Sequence, residues 1–439
     1  MPTAYPWRPA PQQEHLVVRR RPGDDPTDIV LLEWAGELFV GARPANHDEL
    51  RRVADDPMLF ATPGLFDVQI NGYSGRSFGD PGLGIDGLRD LCWSILLSGT
   101  TRFLATITTD ALDTMRAAME NLHAACRTYP DVAAMVVGIH QEGPWISPSN
   151  GPRGAHPAEY VIPPSVAEFA RLQSASGGRI AMLTLAPELE GITDLIREAA
   201  QHSVVVSLGH HDAAKPIIEH AIDAGARCVT HLGNGCPAVM PRHPNLLWAQ
   251  AAEDRLYAGI IADGHHLPPD TVKVFHRAKP HDKLILVSDA VGMAGAPPGL
   301  YHEGDAISEL TPQGWYGFFG TRTLIGAAVP LASCLANLAA FAGESKTPAD
   351  YAAHATTVPG RLMGLPDLTS ALGTPGTPAT FVVWRWERTT PALTPQRIVL
   401  RGRTVYDSEA LAIQVPFGQC MASATLAEAR QWLATQQRI

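Results

Sequence analysis

Four places in this chain bring carboxylates and imidazoles together in a pattern that suits metal chemistry. The run AMVVGIHQEG (134–143) carries His140 and Glu142, which strand alternation puts on one face. Gly209-His210-His211 closes SVVVSLGHH (203–211), and Thr230-His231-Leu232 lies within RCVTHLGNG (227–235). One Glu and two His make an open three-ligand zinc site, with a fourth position for water whose pKa such a metal lowers towards about 7. Ser288-Asp289-Ala290 ends KLILVSDA (283–290) and adds a carboxylate able to take the proton from that water. Each residue also has a plainer use, since a histidine can be a hydrogen-bonded structural residue and an aspartate at a strand end can cap the next helix. Their shared position at the ends of apolar runs points to a metal hydrolase.

A frame must deliver these groups to one place. Eight short apolar runs, each ending in polar or glycine-containing residues, begin with GLFDVQING (64–72), TRFLATITT (101–109), AMVVGIHQEG and RIAMLTLAPE (179–188). They continue with SVVVSLGHH, RCVTHLGNG, YAGIIADGHH (257–266) and KLILVSDA. Onsets near 65 and 283 give seven steps of about 31 residues, the size of a βαβ unit. Helix-like segments such as 110–126 and 213–226 lie between them. The pattern predicts an α/β chain with a (β/α)₈ TIM-like barrel over 61–369, an open doubly wound sheet being the alternative. In a barrel the active residues belong at the C-terminal ends of the strands, where the groups above fall on runs three, five, six and eight.

Residues 1–60 and 370–439 read differently. IVLLEWAGELFVGA (29–42), TPATFVVWRWE (377–387) and RIVLRGRTVYD (397–407) alternate like antiparallel strands, predicting one small β-sandwich domain built from both termini. A final amphipathic helix is expected within 423–437, and the first dozen residues, with Pro2, Pro6, Pro9 and Pro11, are expected to be loose.

Composition narrows the function. The chain has 439 residues, 45% of them hydrophobic, and 34 basic against 44 acidic residues give a net charge of −10. That charge argues against a broad nucleic-acid or anionic-membrane surface, and Arg19-Arg20-Arg21 is followed by Asp24 and Asp25. Any anionic ligand must be captured locally. Six scattered cysteines without a CxxC pair predict reduced thiols in a cytoplasmic protein. The longest apolar segment, 326–343, contains Pro330, Ser333 and Asn337 and suits a buried helix of a soluble, non-secreted protein.

From about Thr62 to Gly373 the chain resembles the N-acetylglucosamine-6-phosphate deacetylases of the amidohydrolase superfamily. The resemblance lies in PGLFDVQINGYSG (63–75), GIHQEGPWIS (138–147), GPRGAH (151–156), VSLGHHDA (206–213), VTHLGNGCP (229–237), GIIADGHH (259–266) and LVSDA (286–290). It implies that Glu142, His210 and His231 bind one divalent metal, Zn²⁺ first with Fe²⁺, Co²⁺ or Mn²⁺ also compatible, and that Asp289 is general base and then general acid. It implies further that His156 polarises the acetamide carbonyl, and that Asn234, Gly235, Arg242 and His266 meet the sugar phosphate, in a homodimer whose partner subunit can contribute to the pocket. Two-metal amidohydrolases carry His-x-His at the end of the first strand; Gln69 and Asn71 stand there and are poor zinc ligands, so a single metal is implied.

Two segments depart from the family pattern: VSDAVGMAGAPPGLYH (287–302) and TLIGAAVPL (323–331), where Ala327 replaces a common serine. Both border the expected sugar site. The implied activity is hydrolysis of N-acetylglucosamine 6-phosphate to glucosamine 6-phosphate and acetate. Two alternatives stand beside it: deacetylation of another N-acetyl amino sugar, galactosamine-type or unphosphorylated, and a catalytically silent barrel that binds an amino-sugar phosphate.

Overall fold

A computed structural model describes residues 5–51, 56–303, 306–343, 345–410, 413, 415, 418 and 423–436. All eight apolar runs are strands of one parallel sheet: β1 (Leu65–Ile70), β2 (Thr100–Thr108), β3 (Val136–Glu142), β4 (Ile180–Leu185), β5 (Val205–Leu208), β6 (Ala226–Val229), β7 (Tyr257–Ile261) and β8 (Leu284–Val287). Neighbours pair in sequence order. Just past β8, Asp289 N–H donates to Gln69 O (2.9 Å) and Asn71 N–H to Ala290 O (2.8 Å), which joins the last strand to the first. The sheet is therefore a closed barrel and not an open doubly wound layer.

Strand alternation explains the two cores. Phe66, Val68, Leu104, Met182, Ile285 and Val287 point inwards and fill the barrel, together with Val358 and Leu362 from the helix Thr357–Leu362. Their strand neighbours, such as Leu65, Phe103 and Leu183, point outwards and pack with the surrounding helices. Those helices include Leu112–Thr128, Lys215–Ala224 and Leu331–Ala342, the last being the long apolar segment. Among the described residues no helix is long and apolar enough to cross a membrane.

Two antiparallel sheets stand apart from the barrel. One orders Glu14–Arg19, Ile29–Ala35 and Leu38–Pro44; the other places Leu59–Pro63 beside Phe381–Glu387, then Ala392–Leu400 and Arg403–Asp407. Trp34, Phe39 and Phe381 interlock between them, with ring centroids 5.5 and 5.9 Å apart. A helix covers Leu426–Gln436. Two features differ from expectation. Tyr5, within the segment expected to be loose, is buried and stacks on Trp93 at 4.4 Å, because an aromatic ring gains more from burial than the prolines around it gain from freedom. After β8 the chain builds a three-stranded antiparallel sheet, Gly299–Glu303, Ala306–Leu310 and Tyr316–Phe318, that no hydrophobic pattern announced.

Candidate active site

The C-terminal ends of the barrel strands surround a cleft of about 670 Å³. Glu142 is the last residue of β3, while His210, His231 and Asp289 each lie two residues beyond the ends of β5, β6 and β8. All three of the latter have left-handed backbone, with φ of 54°, 31° and 50°. Non-glycine residues rarely take such values, and outliers of this kind collect where a site over-determines the chain. The surrounding hydrogen bonds hold them: Ser147 N–H donates to His210 O (2.9 Å), Asn234 N–H to His231 O (2.9 Å) and Ala327 N–H to Asp289 O (3.0 Å).

The result is a tight convergence of lone pairs. Glu142 Oε1 is 3.1 Å from His210 Nε2 and 3.2 Å from His231 Nε2, and the two imidazole nitrogens are 3.0 Å apart. His210 Nδ1–H donates to Pro152 O at 2.9 Å, which fixes the tautomer and leaves Nε2 as a bare acceptor aimed at the cluster. Gly235 closes over the rings: at φ 55°, a Cβ there would lie 3.0 Å from His210 Nδ1 and from His231 Cε1.

Three acceptor atoms so close require a cation or a proton between them. Burial pushes the Glu142 carboxyl up, but hydrogen bonds and charge from His210 and His231 overcome it and hold the group well below its ordinary range. Burial works against a charged His231, and Glu142 overcomes it and raises that imidazole. Both shifts express one demand for positive charge at the centre. Tetrahedral zinc with bonds of about 2.1 Å separates its ligand atoms by about 3.4 Å, so slight opening of this cluster would seat the ion. The residues fit a divalent metal.

Gln69 and Asn71 take up roles that spacing left open. Gln69 Nε2 donates to Glu142 Oε1 (3.1 Å), and Asn71 Nδ2 donates to Asp289 Oδ1 (2.7 Å). Both amides thus orient carboxylates from the positions where two-metal relatives place imidazoles. Burial, then the charge of Glu142, pushes the Asp289 carboxyl up to about 6. Beneath it Asp67, unremarked in the sequence, accepts backbone hydrogen bonds from Gln69 and Ser288, and burial pushes it up to about 7.

His156 Nε2 lies 3.3 Å from His210 Nε2, and burial followed by the charge of His210 lowers its pKa to about 3, so the ring is neutral. Asn234, Gly235 and His266 line the cleft. His266 Nδ1–H donates to Asp263 Oδ2 at 2.7 Å. Arg242 is exposed on the loop before the helix Leu246–Ala251 and is not among the lining residues. Two other histidines of the opening pattern are structural. His140 donates to Val68 O (2.9 Å) and accepts from Thr184 Oγ1 (2.7 Å), and His211 accepts from Ala213 N–H (3.1 Å) and bonds Gln250. The late sheet supplies Tyr316 to the wall, for which the sequence offered no signal.

The amidohydrolase family model matches residues 60–405. An N-acetylglucosamine-6-phosphate deacetylase of Bacillus subtilis is 33% identical over 280 residues, 63% of this chain and 68% of the relative. The chain belongs to the N-acetylglucosamine-6-phosphate deacetylase family of amidohydrolases. An N-acetylgalactosamine-6-phosphate deacetylase of Escherichia coli O157:H7 is 29% identical over 320 residues, 73% of this chain and 82% of the relative. In three dimensions this amidohydrolase superposes on a Mycobacterium smegmatis N-acetyl-D-glucosamine-6-phosphate deacetylase variant solved with N-acetyl-D-glucosamine-6-phosphate. That match has a TM-score of 0.77 at 24% identity and covers 90% of this chain and 99% of the other, a likeness of fold. The family is metal-dependent, and Glu142, His210 and His231 form a group able to hold the ion.

Proposed function

We propose that this amidohydrolase removes acetate from N-acetylglucosamine 6-phosphate, leaving glucosamine 6-phosphate, with one divalent metal held by Glu142, His210 and His231. The observation that carries the reading is the meeting of this ligand cluster with Asp289 in one cleft at the catalytic end of the barrel. Zn²⁺ suits the donor set, and Fe²⁺, Co²⁺ and Mn²⁺ are also compatible. The ion, when bound, supplies Lewis acidity to the carbonyl and acidifies water. Asp289 takes the proton of the attacking water, while Asn71 holds one of its oxygens and leaves the other to the reaction. The same carboxyl then hands the proton to the amide nitrogen, which leaves only as an amine. Neutral His156 donates to the oxygen that gains charge as the carbonyl becomes tetrahedral.

Recognition of the sugar falls to Asn234, Gly235 and His266. The described residues lining the cleft include no Lys or Arg, but they include Asp80, Asp110, Glu142 and Asp289. A phosphate dianion therefore needs a cation from elsewhere, and Arg242 of a second copy fills that need in a homodimer. Exposed Val239 and Trp248 flank Arg242 and give such a contact apolar surface. The free state of all five described cysteines supports a reducing, cytoplasmic setting.

The test is acetate release by zinc-loaded protein from N-acetylglucosamine 6-phosphate, from the unphosphorylated sugar and from N-acetylgalactosamine 6-phosphate. Strong preference for the first is expected. Preference for either of the others keeps the chemistry and overturns the substrate. No acetate from any of them, with metal bound, would make this a silent sugar-phosphate-binding barrel.

A further inference from the structure

At the opposite end of the barrel three more histidines converge. His276 lies in the last turn of the helix Pro269–Ala278, His281 in the connection to β8, and His354 in the short turn Ala352–Ala355. One ring nitrogen from each lies within 4.8 Å of the others. His354 is buried and its Nδ1–H donates to Leu284 O (2.9 Å), at the start of β8, which leaves Nε2 as a free acceptor. His276 Nε2 is itself buried and has no hydrogen-bond partner. A buried, unpartnered imidazole nitrogen facing two more imidazoles is costly unless something binds it.

We infer that His276, His281 and His354 form a second divalent transition-metal site, structural in role, which ties the last helix turn before β8 to the 352–355 turn. Several features support it. Burial first, with neighbouring positive charge behind it, lowers His276, and burial lowers His354 to about 4, so both rings are neutral ligands at pH 7. The exposed His281 can swing to bring its nitrogen within the separation that bonds of about 2.1 Å require. The set is all imidazole, which selects zinc, nickel, cobalt or copper over calcium and magnesium. His276 also borders a cleft of about 140 Å³, lined besides by Lys273, Arg277 and Tyr351. The neighbouring rings meet His276 edge-on, at 70° for His281 and 85° for His354, while His281 and His354 lie face to face at 27°. The location at the N-terminal face of the barrel assigns the site to stability and not to turnover.

Equilibrium dialysis of the full chain against Zn²⁺, with metal analysis, tests this. The wild type should hold about two equivalents and Glu142→Ala about one, while His281→Ala and His276→Ala should each lose the outer ion and keep wild-type acetate release. Zinc added beyond the first equivalent should raise the Tm of the wild type but not of His281→Ala, and the first equivalent should raise the Tm of Glu142→Ala. Binding of one equivalent by the wild type, or a second equivalent that survives both histidine substitutions, would overturn the inference.

Discussion

The two imidazole clusters at opposite ends of one barrel have similar ligand types and different surroundings. At the C-terminal end a carboxylate joins two histidines, Gln69 orients Glu142 and the Pro152 carbonyl orients His210, and Asp289 stands beside the cleft. At the N-terminal end three histidines meet without a carboxylate in the group, one is exposed, and the adjoining cleft is about 140 Å³. Metal ligands alone do not make a hydrolase. What the upper cluster adds is a neighbouring carboxylate, Asp289, a neutral imidazole, His156, 3.3 Å from His210, and a cleft of about 670 Å³.

Removing the carboxylate should have the largest effect. Glu142→Ala leaves two imidazoles without their anionic partner, so the catalytic ion should be lost and turnover should fall on the order of 10⁴-fold or more, as read by metal analysis and acetate release. Full occupancy of the mouth site in that variant would remove Glu142 from the ligand set. His156→Ala should keep the ion and lower turnover by about 10² to 10³, the usual cost of one oxyanion donor. Gln69→Ala should act one step further out and weaken metal affinity by about 10- to 100-fold, with little change in turnover at saturating metal.

The smallest effect is one of stability. Burial lowers His140 to about 4, whereas the unfolded chain protonates near 6.5. Between those values the unfolded state binds more protons, so stability is complete above pH 6.5 and is lost as pH falls through 4. The contribution is about 3 kcal/mol, and urea midpoints measured across this interval should decline. A flat profile would mean that the ring is not held neutral.

Much of this was legible in the sequence because it rests on period and punctuation. Eight apolar runs at regular spacing specify the strands, and Glu142, His210, His231 and Asp289 stand at strand ends where a closed barrel must bring them together. Closure itself depends on Gln69 and Ala290 carbonyls meeting amides from the opposite edge of the sheet, a long-range pairing that no local pattern encodes. For the same reason the left-handed backbone at His210 and Asp289 was invisible, as their carbonyls accept hydrogen bonds from the distant Ser147 and Ala327. His140 and His231 look alike in sequence. Only the third dimension separates the one bonded to Thr184 from the one facing Glu142. The buried Asp67 and Tyr316 of the late sheet gave no signal because their positions depend on what packs over them.

Asp289→Asn separates proton transfer from metal binding when bound metal and acetate release are measured on the same preparation. The amide preserves shape but cannot take a proton from water. The Glu142, His210 and His231 site should keep its wild-type metal content while turnover is almost abolished; unchanged turnover would remove Asp289 from the proton path.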